Sequence, residues 1–194
     1  MPHIAASTRS CSARVVVDDD APTFLLKCAA QIEPRTGVRT CLIGGLARAV
    51  YATRRATADV DVIVDLVDLA PILALAPALG LVSVPREVEA LAHSVMTRLR
   101  VPEELTGDTR LDVIGRSHDY YARILARGVI DTSLGPPIRV ALAEDIIVLK
   151  TLADRPQDRA DVAAIIDAQR DRLDRDLIRR ECAALEIDPP EALR

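Results

Sequence analysis

The sequence predicts an α+β protein, a small mixed β-sheet with flanking helices followed by a helical C-terminal part. Three observations carry that expectation. Ala58–Leu66 alternates valine or leucine with aspartate, the period of a strand. The pair Gly44-Gly45 separates a short β-prone run from an Ala-, Leu- and Arg-rich stretch, the pattern of strand, tight turn and helix. Beyond Leu142 the chain turns helical, which suits helices packed against an α/β body. With 194 residues, 49% of them apolar and 28% charged, the chain can bury a sizeable core, and disorder as the dominant state is excluded.

Taken in order, Phe24, Leu25, Cys28, Ala29 and Ile32 recur at helical spacing and predict a helix over Pro22–Glu33, closed by Pro34 and Gly37. Val38–Ile43 predicts a strand and the stretch from Gly44 to about Thr53 a helix. In Ala58–Leu66 the residues Val60, Val62, Val64 and Leu66 share one face, leaving Asp59, Asp61, Ile63 and Asp65 on the other. Asp68 caps a short helix that Pro71 begins and Pro77–Gly80 ends. Pro85–His93 carries little pattern. Ser94–Val101 and Thr109–Gly115 predict a hairpin of two strands around the loop Pro102–Asp108. A helix over His118–Arg127, a β-prone segment at Ile138–Leu142, and helices over Ala143–Asp154, Gln157–Arg170 and Leu173–Leu185 complete the order. The expected division is a flexible leader over 1–20, an α/β core over 21–142 and a helical subdomain over 143–194 closing a cleft.

Composition narrows the function. A net charge of −4 gives no overall basic field for sequence-blind nucleic-acid binding, though a local basic patch stays open. Aromatic residues are 2% of the chain, too few for base-stacking platforms. Of the basic residues 23 are arginine, and only Lys27 and Lys150 are lysine. Cys11, Cys28, Cys41 and Cys182 are scattered, with no C-x-x-C pair and no histidine at ligand spacing, which fits a reducing cytoplasm. The longest uncharged run is broken by Pro71, Pro77, Gly80 and Pro85 and is too short for a membrane helix. The mixed-sign C-terminal helices read as solvated surfaces laced with ion pairs.

The residues that can carry chemistry fall into one constellation. Two glycines opening a helix leave backbone N–H groups uncovered for an anion, although a lone Gly-Gly more often only makes a turn. Thirteen residues separate Gly45 from Asp59. Asp59 and Asp61 leave the same face of their strand about 6.6 Å apart and can share a divalent cation, against the simpler alternative of an edge strand wetting its polar face. Asp112 faces opposite to Leu111 and Val113 on a second strand and can complete a three-carboxylate site. Lys150 places a compact ammonium beside an apolar helix face, where the alternatives are a phosphate contact or an ordinary i, i+4 pair with Asp154. Cys41 reads as a buried small apolar residue, and His93 and His118 as loop or helix-cap residues.

These residues resemble the signature of the DNA polymerase beta-like nucleotidyltransferase superfamily: a Gly-Gly or Gly-Ser turn opening a helix, then a D-x-D strand, then a later single acid. Gly44, Gly45, Asp59, Asp61 and Asp112 match in order and spacing, and the resemblance covers roughly Thr40 to Gln169. The branch it looks most like is the minimal AbiEii-type toxins of abortive-infection and toxin–antitoxin systems. Arg54–Asp61 is similar to their basic and hydroxyl-bearing lead-in, and Lys150, Asp158 and Asp161 to their later Lys and Asp motifs.

The resemblance implies an enzyme that moves an NMP from an NTP to an acceptor hydroxyl, RNA or tRNA, a protein or a small molecule, with an antitoxin as a further partner. It implies two Mg2+ ions on Asp59, Asp61 and Asp112, and nucleotide contacts from Gly44, Gly45, Arg55, Thr57, Lys150 and Asp161. The competing readings are an antibiotic nucleotidyltransferase of the aminoglycoside or lincosamide type, and a catalytically silent nucleotide-binding module. Two departures bear on triphosphate binding: Gly45 stands where some branches use serine, and Gln157 where a lysine often precedes the Asp158-type acid.

Overall fold

A computed structural model describes residues 20–55, 57, 59–87, 94–100 and 109–193. The leader over 1–20, except its last residue, and the loop Pro102–Asp108 lie outside them, as do Cys11 and His93. The chain runs α1 (Ala21–Ala30), α2 (Ile32–Thr36), β1 (Cys41–Ile43), α3 (Gly44–Tyr51), β2 (Val60–Asp65), α4 (Leu69–Leu75), β3 (Val82–Glu87), β4 (Ser94–Arg100), β5 (Leu111–Arg116), α5 (Asp119–Arg127), β6 (Val129–Asp131), β7 (Ile138–Val140), α6 (Ala143–Ala153), α7 (Pro156–Gln169) and α8 (Arg175–Ala184). The expected α+β class holds: seven strands form one mixed sheet in the order β3-β4-β5-β2-β1-β7-β6.

Three of the helices, α1, α5 and α8, begin where a side chain satisfies a first amide, whereas Asp68, expected to cap α4, makes no such hydrogen bond. Asp20 accepts from Thr23 N (2.9 Å), His118 from Tyr120 N (3.2 Å) and Asp174 from Leu177 N (2.8 Å). The helix expected over Pro22–Glu33 divides at Gln31 into α1 and α2, and α2 ends on Gly37 at φ 73°. The α4 helix ends in a 3-10 turn over Ala76–Leu79, closed by Gly80 at φ 72°.

β2 is the fourth of seven strands, which sets aside the edge-strand alternative. Val60, Val62, Ile63 and Val64 are all fully buried, as in a strand covered on both faces, and Asp61 and Asp65 are the partly exposed positions of β2. The core gathers Leu25 and Ile32 from the first two helices, Leu42 from β1, Tyr120 and Ile124 from α5, and Ile147 from α6. β4 and β5 pair antiparallel as expected.

Two strands were not legible in the sequence. β3 contains Pro85, which the sheet tolerates because β3 is an edge strand whose outer side needs no N–H donor. β6 is only three residues long, too short for alternation to register, and it forms the other edge. No helix among the described residues is long and apolar enough to cross a membrane.

Candidate active site

The site lies where β1 ends and β2 begins. β1 runs antiparallel to β2 with Ile43 opposite Asp61, so the turn that follows Ile43 passes directly over that carboxylate. Gly44 takes φ +70° there, and a Cβ on it would lie 2.1 Å from Asp61 Oδ2. Only glycine fits, both for its backbone and for its lack of a side chain. A Cβ on Gly45 would lie 2.8 Å from Thr57 Oγ1, so the Thr57 hydroxyl occupies the place a serine side chain would need at position 45. α3 then starts without any side-chain cap, which leaves its first amides to an outside acceptor.

On the other side of β2 runs β5, parallel, with Asp61 opposite Asp112, and β4 beyond it with Arg98 opposite Asp112. One row across the sheet therefore reads Ile43, Asp61, Asp112, Arg98. Arg98 Nε donates to Asp112 Oδ1 at 3.0 Å, and Arg110 Nε to Asp112 Oδ2 at 3.4 Å. Arg110 Nη2 also lies 3.0 Å from Asp59 Oδ2. Asp61, alone of the three acids, has no ion pair among the described residues. Burial, then the charges of Asp112 and Asp59, push its carboxyl up to about 6, against the opposing pull of Arg110 and Lys150.

The three carboxylates expected to form a metal site are thus adjacent, but two of them are held by arginines. Among the described residues, no group of three or more His, Cys, Asp or Glu side chains is arranged to hold a metal ion. Their chemistry nevertheless fits a divalent cation. They are hard oxygen donors at the start of β2 and on the neighbouring β5, and a cation beside Asp61 would favour the ionised carboxylate that burial first, and then Asp112 and Asp59, disfavour.

The second half of the site comes from the helical part. Lys150 on α6 is only 7% exposed, and its Nζ donates to Asp158 Oδ1 (2.9 Å) and Asp161 Oδ2 (2.8 Å) on α7. The alternative pairing with Asp154 does not form, because Asp154 ends α6 at φ 48° and takes Arg159 instead (2.7 Å). Arg55 donates to both Asp161 oxygens (3.1 and 2.9 Å), and Arg48 Nε lies 3.2 Å from Oδ1. Burial raises the Asp161 carboxyl, but hydrogen bonds from Arg55 and Lys150 outweigh it and hold the group at about 2. Asp161 is 1% exposed, so its own oxygens face cations rather than open space. Gln157 turns its amide toward Asp161 (3.4 Å) and adds no charge.

This corrects the view of the C-terminal acids as a solvated surface. Asp154, Asp167 and Asp176 are of that kind, whereas Asp158, Asp161 and Glu181 are buried in ion pairs. Sequence reading also missed Arg98, Arg110 and Arg48. Arg110 could have been found, since it precedes Asp112 by two and shares its face. Arg98 needed the hairpin register.

A glycine turn thus lies over a central carboxylate strand, with a second acid on the parallel neighbour. No protein-family model and no curated protein matches the chain. Among solved structures it is similar to an antigenic nucleotidyltransferase-like protein from Paracoccidioides brasiliensis, 14% identical over 86% of this chain and 88% of that one, with a TM-score of 0.55. It is also similar to ANT(2″)-Ia in complex with adenylyl-2″-tobramycin, 16% identical over 84% and 96%, with a TM-score of 0.54. A third is JHP933 from Helicobacter pylori, 16% identical over 80% and 69%, with a TM-score of 0.52. The likeness is one of fold, and it bears out the fold expected from Gly44, Gly45, Asp59, Asp61 and Asp112.

Proposed function

We propose that the chain is a metal-dependent nucleotidyltransferase that moves an NMP from a Mg-NTP to an acceptor hydroxyl and releases pyrophosphate. The observation that carries the reading is Asp61, a partly shielded carboxylate between the amides of a helix-opening glycine turn and a second carboxylate strand. Phosphate oxygens would rest on Gly44 and Gly45, with the Thr57 hydroxyl beside them. Asp59, Asp61 and Asp112 would hold two Mg2+ ions, which when bound supply charge neutralisation to the triphosphate and acidify the acceptor hydroxyl. The acceptor oxygen attacks the α-phosphorus, its proton passes to Asp112, and the bond to pyrophosphate breaks. Lys150 and Arg55 offset the developing negative charge. Asp161 acts through them as a positioning residue, since its Oδ2 accepts from both and its Oδ1 accepts again from Arg55.

Incubation with each α-labelled NTP and a cell extract, resolving label into RNA, protein and small molecules, tests the reading. Label in any fraction that is lost in Asp61→Asn supports it, and no label with any NTP counts against it. In its narrower form the reading makes the chain a toxin of a toxin–antitoxin or abortive-infection pair. Growth arrest on induction of the wild type but not of Asp61→Asn tests that form.

A further inference from the structure

Arg98 and Arg110 have no part in the transfer chemistry assigned above, yet between them they hold Asp59 and both oxygens of Asp112. An arginine cannot relieve a crowded positive site by losing a proton. Once a divalent cation engages Asp59 and Asp112, these two guanidiniums face a like charge and must compete for the same oxygens. Their backbones are fixed in and beside the sheet, so they can re-aim but not leave.

The strand order tells which side of the site they serve. The glycine turn follows β1 on one side of β2, and Lys150 reaches in from the helical part. Arg98 is on β4, two strands from β2 on the opposite side, with Asp112 between. That is the acceptor side, because Asp112 takes the acceptor's proton.

We infer that Arg98 and Arg110 form an anion subsite for the acceptor, released from the carboxylates when divalent metal binds, and that the acceptor carries a phosphate close to the hydroxyl it offers. The inference rests on the nucleotidyl-transfer reading. A planar guanidinium fork matches phosphate oxygens in bidentate geometry, whereas a cationic acceptor would meet two like charges.

The test is equilibrium binding of a fluorescein-labelled single-stranded oligoribonucleotide to the full chain, in EDTA and in Mg2+ with an NTP analogue whose α–β link cannot be cleaved. Binding of the Mg2+–analogue is followed separately by calorimetry. Affinity for the oligonucleotide is expected to rise about tenfold or more with metal and analogue, the worth of one charge-assisted contact. The rise should be lost in Arg98→Gln and Arg110→Gln and partly kept in Arg98→Lys. Thermal melts of Arg98→Gln and Arg110→Gln beside wild type guard against loss through misfolding, and both should still bind the Mg2+–analogue while showing no rise. Competition by UMP supports a free nucleotide as the phosphate source, and lack of competition supports a polynucleotide.

An oligonucleotide affinity unchanged by metal, a rise retained in Arg98→Gln, or equal competition by tobramycin would each overturn the inference. If the Mg2+–analogue binds while the oligonucleotide gains nothing, only the anion subsite fails. If the analogue does not bind, the nucleotidyl-transfer reading fails as well.

Discussion

Replacing Asp61 by asparagine should make the metal-free protein more stable while ending transfer. Burial and two neighbouring carboxylates raise the Asp61 carboxyl from 3.8 to about 6. The unfolded chain ionises this group near pH 4 and the folded chain near pH 6, so folding takes up a proton between them. The stability linked to neutral Asp61 is fully present below about pH 4 and is lost as pH rises through about 6. A shift of about two units at ~1.4 kcal/mol each sets a ceiling of about 3 kcal/mol at pH 7.5, and coupling among the three acids argues for about half of it.

Asparagine keeps the shape and removes the charge, so Asp61→Asn should melt about 3–6 °C above wild type at pH 7.5 in EDTA, at ~2–4 °C per kcal/mol for a chain of this size. At pH 4.5 the gain should fall to about a third, since wild-type Asp61 is by then mostly protonated in the folded state. Thermal melts at the two pH values, with radiolabel transfer measured alongside, give the comparison. A variant that melts below wild type at pH 7.5, or by the same offset at both pH values, would refute the repulsion argument and make Asp61 a structural residue.

Other consequences follow from single contacts. Lys150→Ala takes one cation each from Asp158 and Asp161, which keep Arg155 and Arg55, and should cut turnover by orders of magnitude in steady-state kinetics, with Lys150→Arg rescuing only in part. Asp154→Ala, which breaks only the exposed pair with Arg159, should shift stability by under about 0.5 kcal/mol and leave turnover alone. Gly37 and Gly44 share a positive φ, but a Cβ meets nothing within 4 Å at Gly37 and meets Asp61 Oδ2 at Gly44. Gly37→Ala should therefore cost about 1–2 kcal/mol by chemical denaturation and spare activity, while Gly44→Ala should abolish transfer. Arg127→Ala leaves the fully buried Asp145 without its guanidinium partner and Glu181 without one of two, and should cost about 3–5 kcal/mol. A melting temperature within 2 °C of wild type, at ~2–4 °C per kcal/mol, would contradict it.

Much of the candidate site was legible because its signals are local. The alternation of Ala58–Leu66 and the glycine pair before a helix are set by dihedral preference and by the two-residue period of a strand, while the grouping of Asp112 with them came from the resemblance to the nucleotidyltransferase signature. These determined the fold class, the hairpin of β4 and β5, and which carboxylates share a face. Tertiary structure decided what those carboxylates touch. Asp112 meets Arg98 only through the register of β4 on β5, and Asp61 meets Asp112 only through a parallel pairing across some fifty residues of chain. Lys150 could have paired with Asp154 on its own helix; packing of α7 against α6 instead offered two buried acids, and a buried ammonium requires them while an exposed one does not. Local pattern fixes the face on which a side chain emerges. Its partners, and therefore its charge state, depend on strands and helices brought together from distant parts of the sequence.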